Sequence, residues 1–254
     1  MLICIDIGNS NITIGVFDKD TLKFTARLAT DSRRTSDQYA IEIRDILHIY
    51  EIERNEITSA AIASVVPTVG SAVERAVNRL FGIKPIVLGP GIKTGLNIKI
   101  DNPAQLGADL AAGAVGALAK YPCPCIVIDM GTATTISVIG KNGEFLGGSI
   151  AAGIKLTMEA LTSGTAQLPS VGLEAPKKVI GTNTIDCIKS GLIIGQASLL
   201  DGMITRIERE LGTKATVVAT GGLAPEVVAN CDHEILLDDN LLLDGLKIIH
   251  DKNV

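Results

Sequence analysis

Two short stretches end an apolar run with a carboxylate, a glycine and small polar residues, the set that holds phosphates and cations. The first is Ile3-Cys4-Ile5-Asp6-Ile7-Gly8-Asn9-Ser10-Asn11-Ile12-Thr13. The second is Ile126-Val127-Ile128-Asp129-Met130-Gly131-Thr132-Ala133-Thr134-Thr135. In each, β-branched residues read as a buried strand that delivers an aspartate to a tight turn. Such a turn presses backbone N–H groups and hydroxyls against phosphate oxygens while the carboxylate holds a cation. One copy alone reads more readily as an ordinary strand–turn–strand. Two copies in the same residue order favour a shared ligand, with Asp6 aligned to Asp129, Gly8 to Gly131 and Ile12 to Thr135. The repeat implies two related halves facing one another across a cleft.

A third carboxylate lies between the two stretches, in Asn102-Pro103-Ala104-Gln105-Leu106-Gly107-Ala108-Asp109-Leu110. Asn102 as N-cap and Pro103 at the first position predict a helix start, and the alanine- and glycine-rich run to Ala119 predicts an interior helix. On that reading Asp109 sits in the second turn, sharing a face with Gln105, Gly113 and Gly116. An ionised carboxylate inside an apolar helix costs several kcal/mol unless it is paired or faces a wet cleft. A structural ion pair is one reading. The other is a general base aimed at a substrate hydroxyl, with the glycines leaving room for a ligand, an arrangement suited to phosphoryl transfer.

Weaker signals surround these. Thr220-Gly221-Gly222 follows a predicted strand and suits either a flat nucleotide group or a simple turn. Gly147-Gly148 to Gly153 reads as a cleft lining or a bend, and Gly181-Thr182-Asn183-Thr184 as a helix start. No Walker-type, dinucleotide-fold, nucleophile-elbow or zinc-protease motif is present, and His48, His233 and His250 are isolated.

The elements that must position these groups follow from periodicity. After each hairpin a third strand is expected, over residues 22–28 and 144–150, with Asn142-Gly143 turning the second hairpin. A helix capped by Thr35 or Ser36 runs to Tyr50, residues 57–66 form a strand ended by Pro67, and residues 69–80 a helix. A short strand over residues 85–88 completes the first half. The second half repeats this order, with helices over residues 154–161 and 184–211, a strand over 215–219 and a closing helix over 239–250. The expectation is an α/β protein with domains 1–120 and 121–254, each a mixed sheet flanked by helices.

Composition sets the limits. The chain has 254 residues, formal net charge −5, no tryptophan and few aromatics, which argues against nucleic acid as a partner. No apolar run approaches the roughly 18 residues needed to cross a bilayer. The N-terminus lacks a charged leader and a cleavage site, so no membrane association and a cytoplasmic location are expected. The five scattered cysteines predict free thiols, not a disulfide framework.

The ordered set Asp6-x-Gly8-Asn9-Ser10, Gly107-Ala108-Asp109, Asp129-x-Gly131-Thr132-Ala133-Thr134-Thr135, Gly181-x-Asn183-Thr184 and Thr220-Gly221-Gly222 resembles type III pantothenate kinases of the acetate and sugar kinase/Hsp70/actin superfamily. Ser64-Val65-Val66-Pro67 and Thr165-Ala166-x-Leu168-Pro169 extend the likeness nearly end to end. It implies duplicated ribonuclease-H-like (actin-like ATPase) domains with the active site in the cleft between them, a homodimer, and ATP-dependent phosphorylation of pantothenate, the first step towards coenzyme A. Carried over by residue, Asp6, Ile7, Gly8, Asn9, Ser10, Asn11, Ile12 and Thr13 form the first phosphate loop, with Asp6 near Mg2+. Thr132 and Gly221 contact ATP, and Asp129 binds a monovalent cation (K+ or NH4+). Asp109 is the proton acceptor, and Gly107, Ala108, Asp109, Leu110 and Thr184 meet the substrate. Three positions depart from the family pattern: Leu110 replaces an arginine, Ile100 a tyrosine, and Ala152-Gly153 a Pro-Gly pair. They bear on substrate identity and efficiency, because leucine supplies no charge for a carboxylate. The alternatives are a kinase of another small alcohol and a nucleotide-binding accessory protein with little turnover.

Overall fold

The computed structural model describes residues 1–254. In chain order its strands are β1 (Leu2–Ile7), β2 (Asn11–Asp18), β3 (Thr21–Ala29), β4 (Ser59–Ser64), β5 (Ile86–Val87), β6 (Asn97–Ile98), β7 (Cys125–Met130), β8 (Ala133–Ile139), β9 (Glu144–Ala152), β10 (Thr216–Thr220) and β11 (Leu236–Leu237). Its helices are α1 (Ser36–Ile49), α2 (Pro67–Phe81), α3 (Ala108–Lys120), α4 (Ile154–Gly164), α5 (Thr184–Lys189), α6 (Gly195–Leu211), α7 (Ala224–Val228) and α8 (Leu241–Asp251). Two compact units result. Unit 1 holds Met1–Leu96, Asp101–Ala119 and Asn240–Val254, and unit 2 holds Asn97–Ile100 and Lys120–Asp239. The division differs from a single cut after residue 120, because α8 joins the first unit and β6 the second.

Unit 1 is built on a sheet of order β3-β2-β1-β4-β5, with β1 antiparallel to β2 and parallel to β4. Alternation along β1 sends Ile3, Ile5 and Ile7 to one core, packed with Tyr39 and Ile43 of α1 and Val73 and Val77 of α2. Leu2 and Cys4 face a second core with Ala112 and Val115 of α3 and Leu243, Leu246 and Ile249 of α8. Asp6 continues that second face at the strand's C-terminal end. Thr35, not Ser36, caps α1: its Oγ1 accepts the Gln38 N–H, and Gln38 Oε1 accepts the Thr35 N–H at 2.8 Å.

The α3–α8 contact corrects one expectation. A Cβ at Gly116 would lie 2.3 Å from the Leu241 carbonyl oxygen, and one at Gly245 would lie 1.9 Å from that of Ala112. The Gly116 space is filled by the backbone of α8, so this glycine serves helix packing and opens no room for a ligand.

Unit 2 has strand order β11-β10-β7-β8-β9-β6. Its first five strands repeat unit 1: an antiparallel β7-β8-β9 meander, with β10 and β11 parallel to β7. Ile126, Ile128 and Met130 of β7 pack into a core with α4, α6 and α7, and Cys125, Val127 and Asp129 take the opposite face. The segment Thr184–Leu211 is one continuous helix, and by length and composition alone it could cross a bilayer, which the sequence reading does not anticipate. In this fold its apolar residues Ile188, Leu192, Ile193, Leu200 and Ile204 are buried in the unit 2 core.

Candidate active site

The two aspartate turns are built alike. In β1 every residue is buried except half-buried Asp6, and in β7 every residue is buried except half-buried Asp129. Asp6 pairs across the sheet with Thr13 of β2 and Ala63 of β4; Asp129 pairs with Thr135 of β8 and Thr220 of β10. Thr13, not Ile12, is therefore the counterpart of Thr135. The first turn, Gly8-Asn9-Ser10, is one residue longer than Gly131-Thr132, and sequence alignment without a gap hides this.

The residue after the third strand fastens each turn. The Thr30 N–H donates to Ser10 O at 3.0 Å and its hydroxyl to Gly8 O at 2.7 Å, while the Gly8 N–H donates to Asn11 O at 2.9 Å. In unit 2 the Gly153 N–H donates to Thr132 O at 3.1 Å, and the Gly131 N–H to Ala133 O at 3.0 Å. A Cβ at Gly153 would lie 2.4 Å from Thr132 O and 2.5 Å from Gly131 O, so only glycine fits. At Gly131 a Cβ would meet nothing nearer than 3.7 Å. The fold itself has no need of glycine there, and the position is open to a close-approaching ligand. The Thr135 hydroxyl oxygen, in the row beside Asp129, is buried without a hydrogen-bond partner. An orphaned buried oxygen costs about 1–3 kcal/mol, so a bound cation that accepts its lone pair fits this place.

Asp109 stands in the first turn of α3, not the second. Asn102 caps only a short 3-10 turn, Pro103–Gln105, by accepting the Ala104 N–H at 3.2 Å. The chain then breaks at Leu106-Gly107, and α3 starts afresh with the Ala111 N–H donating to Gly107 O at 3.0 Å. Gln105 is thus outside the helix that carries Asp109. The Leu110 N–H donates to Asp109 Oδ1 at 2.8 Å, and the carboxylate enters no ion pair with a lysine, arginine or histidine. Burial pushes its pKa above the ordinary carboxylate value, against the opposing pull of the Leu110 and Asp109 amides. Desolvation outweighs the favourable helix N-terminus. Gly107 makes room for the group, since a Cβ there would lie 2.5 Å from Asp109 Oδ1.

The remaining candidates fall as follows. Asp6, Ile7, Gly8, Asn9, Ser10, Asn11, Ile12 and Thr13 form one hairpin, and Gly107, Ala108, Asp109 and Leu110 one helix start, both in unit 1. In unit 2, Gly221 (φ +102°) packs on Met130, where a Cβ would lie 2.6 Å from the carbonyl oxygen, so it adjoins the strand that carries Asp129. Thr184 opens α5, whose cap is Asn183: the Asp186 N–H donates to Asn183 Oδ1 at 3.0 Å. Gly147 (φ +127°) lies at the register shift between β8 and β9, and a Cβ at Gly148 would lie 2.0 Å from Ile136 O. These two glycines are structural, and Ile100 lies against the first of them. His233 is not isolated: its Nδ1 lies 2.8 Å from Asp201 Oδ1, whose carboxylate also accepts the Asp232 and His233 N–H groups and fastens that loop to α6. The sequence reading places Gly153 only in a glycine-rich bend or cleft lining and gives no role to Thr30 or to the Thr135 hydroxyl. Only the glycine left a signal, and its meaning depends on a neighbour over twenty residues earlier.

Comparison with known proteins adds independent findings. The family profile described as type III pantothenate kinase matches residues 2–206. A type III pantothenate kinase of Moorella thermoacetica is 42% identical over 257 residues, covering 100% of both chains. Among solved structures, component A of (R)-2-hydroxyglutaryl-CoA dehydratase from Acidaminococcus fermentans matches with TM-score 0.56 at 16% identity, over 98% of this chain and 95% of that one. A ROK family glucokinase from Streptomyces griseus, solved with glucose and AMPPNP, matches with TM-score 0.53 at 14% identity, over 99% and 98%. At such identities these two structures bear on the fold alone, and both share it.

Proposed function

The chain belongs to the type III pantothenate kinase family, and we propose how its own residues carry out that reaction. The protein phosphorylates pantothenate with ATP, the first step of coenzyme A biosynthesis. Asp109 takes the proton of the substrate hydroxyl as that oxygen bonds to the γ-phosphorus, the bond to the bridging oxygen breaks, and ADP leaves. The observation that carries this role is a half-buried carboxylate with no ion-pair partner, whose burial raises its affinity for a proton. Gly107 keeps the carboxylate in place, and Ala108, Leu110 and Thr184 contact the substrate. The Asp6–Thr13 hairpin, Thr132 and Gly221 hold the nucleotide.

Asp6 is the residue to hold Mg2+, which when bound neutralises charge on the phosphate oxygens. Asp129 is the residue to hold K+ or NH4+, and the unpartnered Thr135 hydroxyl beside it supports a cation there. A homodimer is supported by exposed apolar side chains of unit 2: Ile150 is 74% exposed on β9, in the row of Thr135, and Leu146 and Leu156 are exposed as well. The cytoplasm, where ATP and a coenzyme precursor are both at hand, is the proposed location.

An ADP-release assay with pantothenate, run with and without K+ and followed by identification of the phosphate ester, tests the account. K+-dependent formation of 4'-phosphopantothenate is expected. Turnover only with another alcohol, or ATP binding without turnover, contradicts the substrate contacts assigned here.

A further inference from the structure

The helix Thr184–Leu211 changes its winding part way, at a π turn over Ser190–Ile194. Its effect follows from helix geometry. In an unbroken α-helix the step from Ile188 to Leu200 leaves the two side chains about 120° apart. Absorbing one residue in a π turn brings them to about 20°. Both are in fact buried in the same core. The step from Thr184 to Gln196 has the same length, so the π turn also brings these two onto one side of the helix.

Gln196, in the first turn after the π turn, is a polar residue on the buried side, 8% exposed. Its Nε2 donates to Thr134 Oγ1 at 3.1 Å, and Thr134 is 1% exposed. Thr134 pairs with Met130, the last rung of the β7–β8 hairpin before Gly131-Thr132. The other side of that rung touches Gly221. A buried amide–hydroxyl pair gains little stability over two apolar side chains of the same shape, but its geometry admits one arrangement.

We propose that Gln196 is a positioning residue: it fixes the Met130–Thr134 rung, and with it the Gly131-Thr132 turn that meets the nucleotide. Through the π turn the same helix ties this rung to Thr184. The proposal rests on the reading that this turn contacts ATP.

Full-length Gln196→Leu, Thr134→Val, Thr134→Ser and the Gln196→Leu/Thr134→Val double variant test it. The readouts are melting temperature, affinity for a non-hydrolysable ATP analogue by calorimetry, and separate kcat and KM values. Loss of one buried hydrogen bond at the rung is expected to weaken analogue binding and raise KM for ATP by about tenfold, with kcat within about twofold. The double variant leaves no polar group orphaned, so it melts near the wild type yet keeps the defect. Thr134→Ser retains the hydroxyl and restores affinity. Wild-type analogue affinity in folded Gln196→Leu and in the double variant overturns the proposal, as does failure of both to fold. Analogue binding is measured without pantothenate, so a wild-type protein that binds nucleotide but leaves pantothenate unphosphorylated defeats the kinase account and not this one.

Discussion

Replacing Gly153 with alanine tests the second turn most sharply, because the structure sets the size of the insult. The backbone at Gly153 is extended (φ −69°, ψ 162°), a conformation alanine adopts freely, so the cost is purely steric. The added methyl carbon would lie 2.4 Å from Thr132 O and 2.5 Å from Gly131 O. Both are backbone atoms and neither has a rotamer to yield. Restoring ordinary contact moves the turn by roughly 1 Å, and a displacement of that size costs on the order of 100-fold in rate, about 2.7 kcal/mol. Overpacking adds about 1–3 kcal/mol of destabilisation. The assay is kcat/KM for ATP at saturating pantothenate, with a thermal melt on the same sample. Gly131→Ala is the companion: its methyl meets nothing within 3.7 Å, so it should melt like the wild type and lose affinity only through the ligand. A folded Gly153→Ala protein within threefold of wild-type kcat/KM for ATP would refute the reasoning.

Three further outcomes are expected. Gly245→Ala, whose methyl would sit 1.9 Å from Ala112 O, should separate α3 from α8 and lower stability by about 2 kcal/mol or more, read by denaturant melts. Thr135→Val removes an orphaned hydroxyl and should stabilise the cation-free protein by up to about 1–3 kcal/mol while, at the proposed cation site, raising the K+ concentration that half-saturates the rate; an unchanged K+ response would remove Thr135 from that proposed site. The acid limb of kcat/KM should reflect Asp109 and lie above the ordinary carboxylate value of 3.8, because the base must be ionised and burial holds its pKa up. A profile flat down to that value contradicts the assignment.

Much of this fold was legible because it follows periods of two and 3.6 residues. The β1 and β7 strands, the cap of α1 to within one residue and the long helix could all be read from local pattern. What escaped depends on contacts distant in sequence. The one-residue difference between the turns appears only in the pairing of Asp6 with Thr13 and Asp129 with Thr135. Asn102-Pro103 is a genuine helix-start signal, but a 3-10 turn satisfies it, and Asp109 owes its first-turn position to the break at Gly107. The glycines beside Asp109 in α3 suggest space for a ligand, whereas Gly116 is packed against the backbone of α8, the last helix in the chain. Glycine marks a close approach without saying to what.

The central claim, that Asp109 accepts the substrate proton, is tested most directly by Asp109→Asn. Folding raises the proton affinity of this group, so its contribution to stability is present below the unfolded pKa and is lost as pH rises through the folded one; at neutral pH the ionised form is a burden. Asparagine keeps the oxygen that accepts the Leu110 N–H and removes the charge, so the variant should melt at or above the wild-type temperature. The account predicts a kcat lower by about 10²–10⁴-fold with nucleotide affinity within twofold. A folded Asp109→Asn protein whose kcat stays within threefold of the wild type would contradict it.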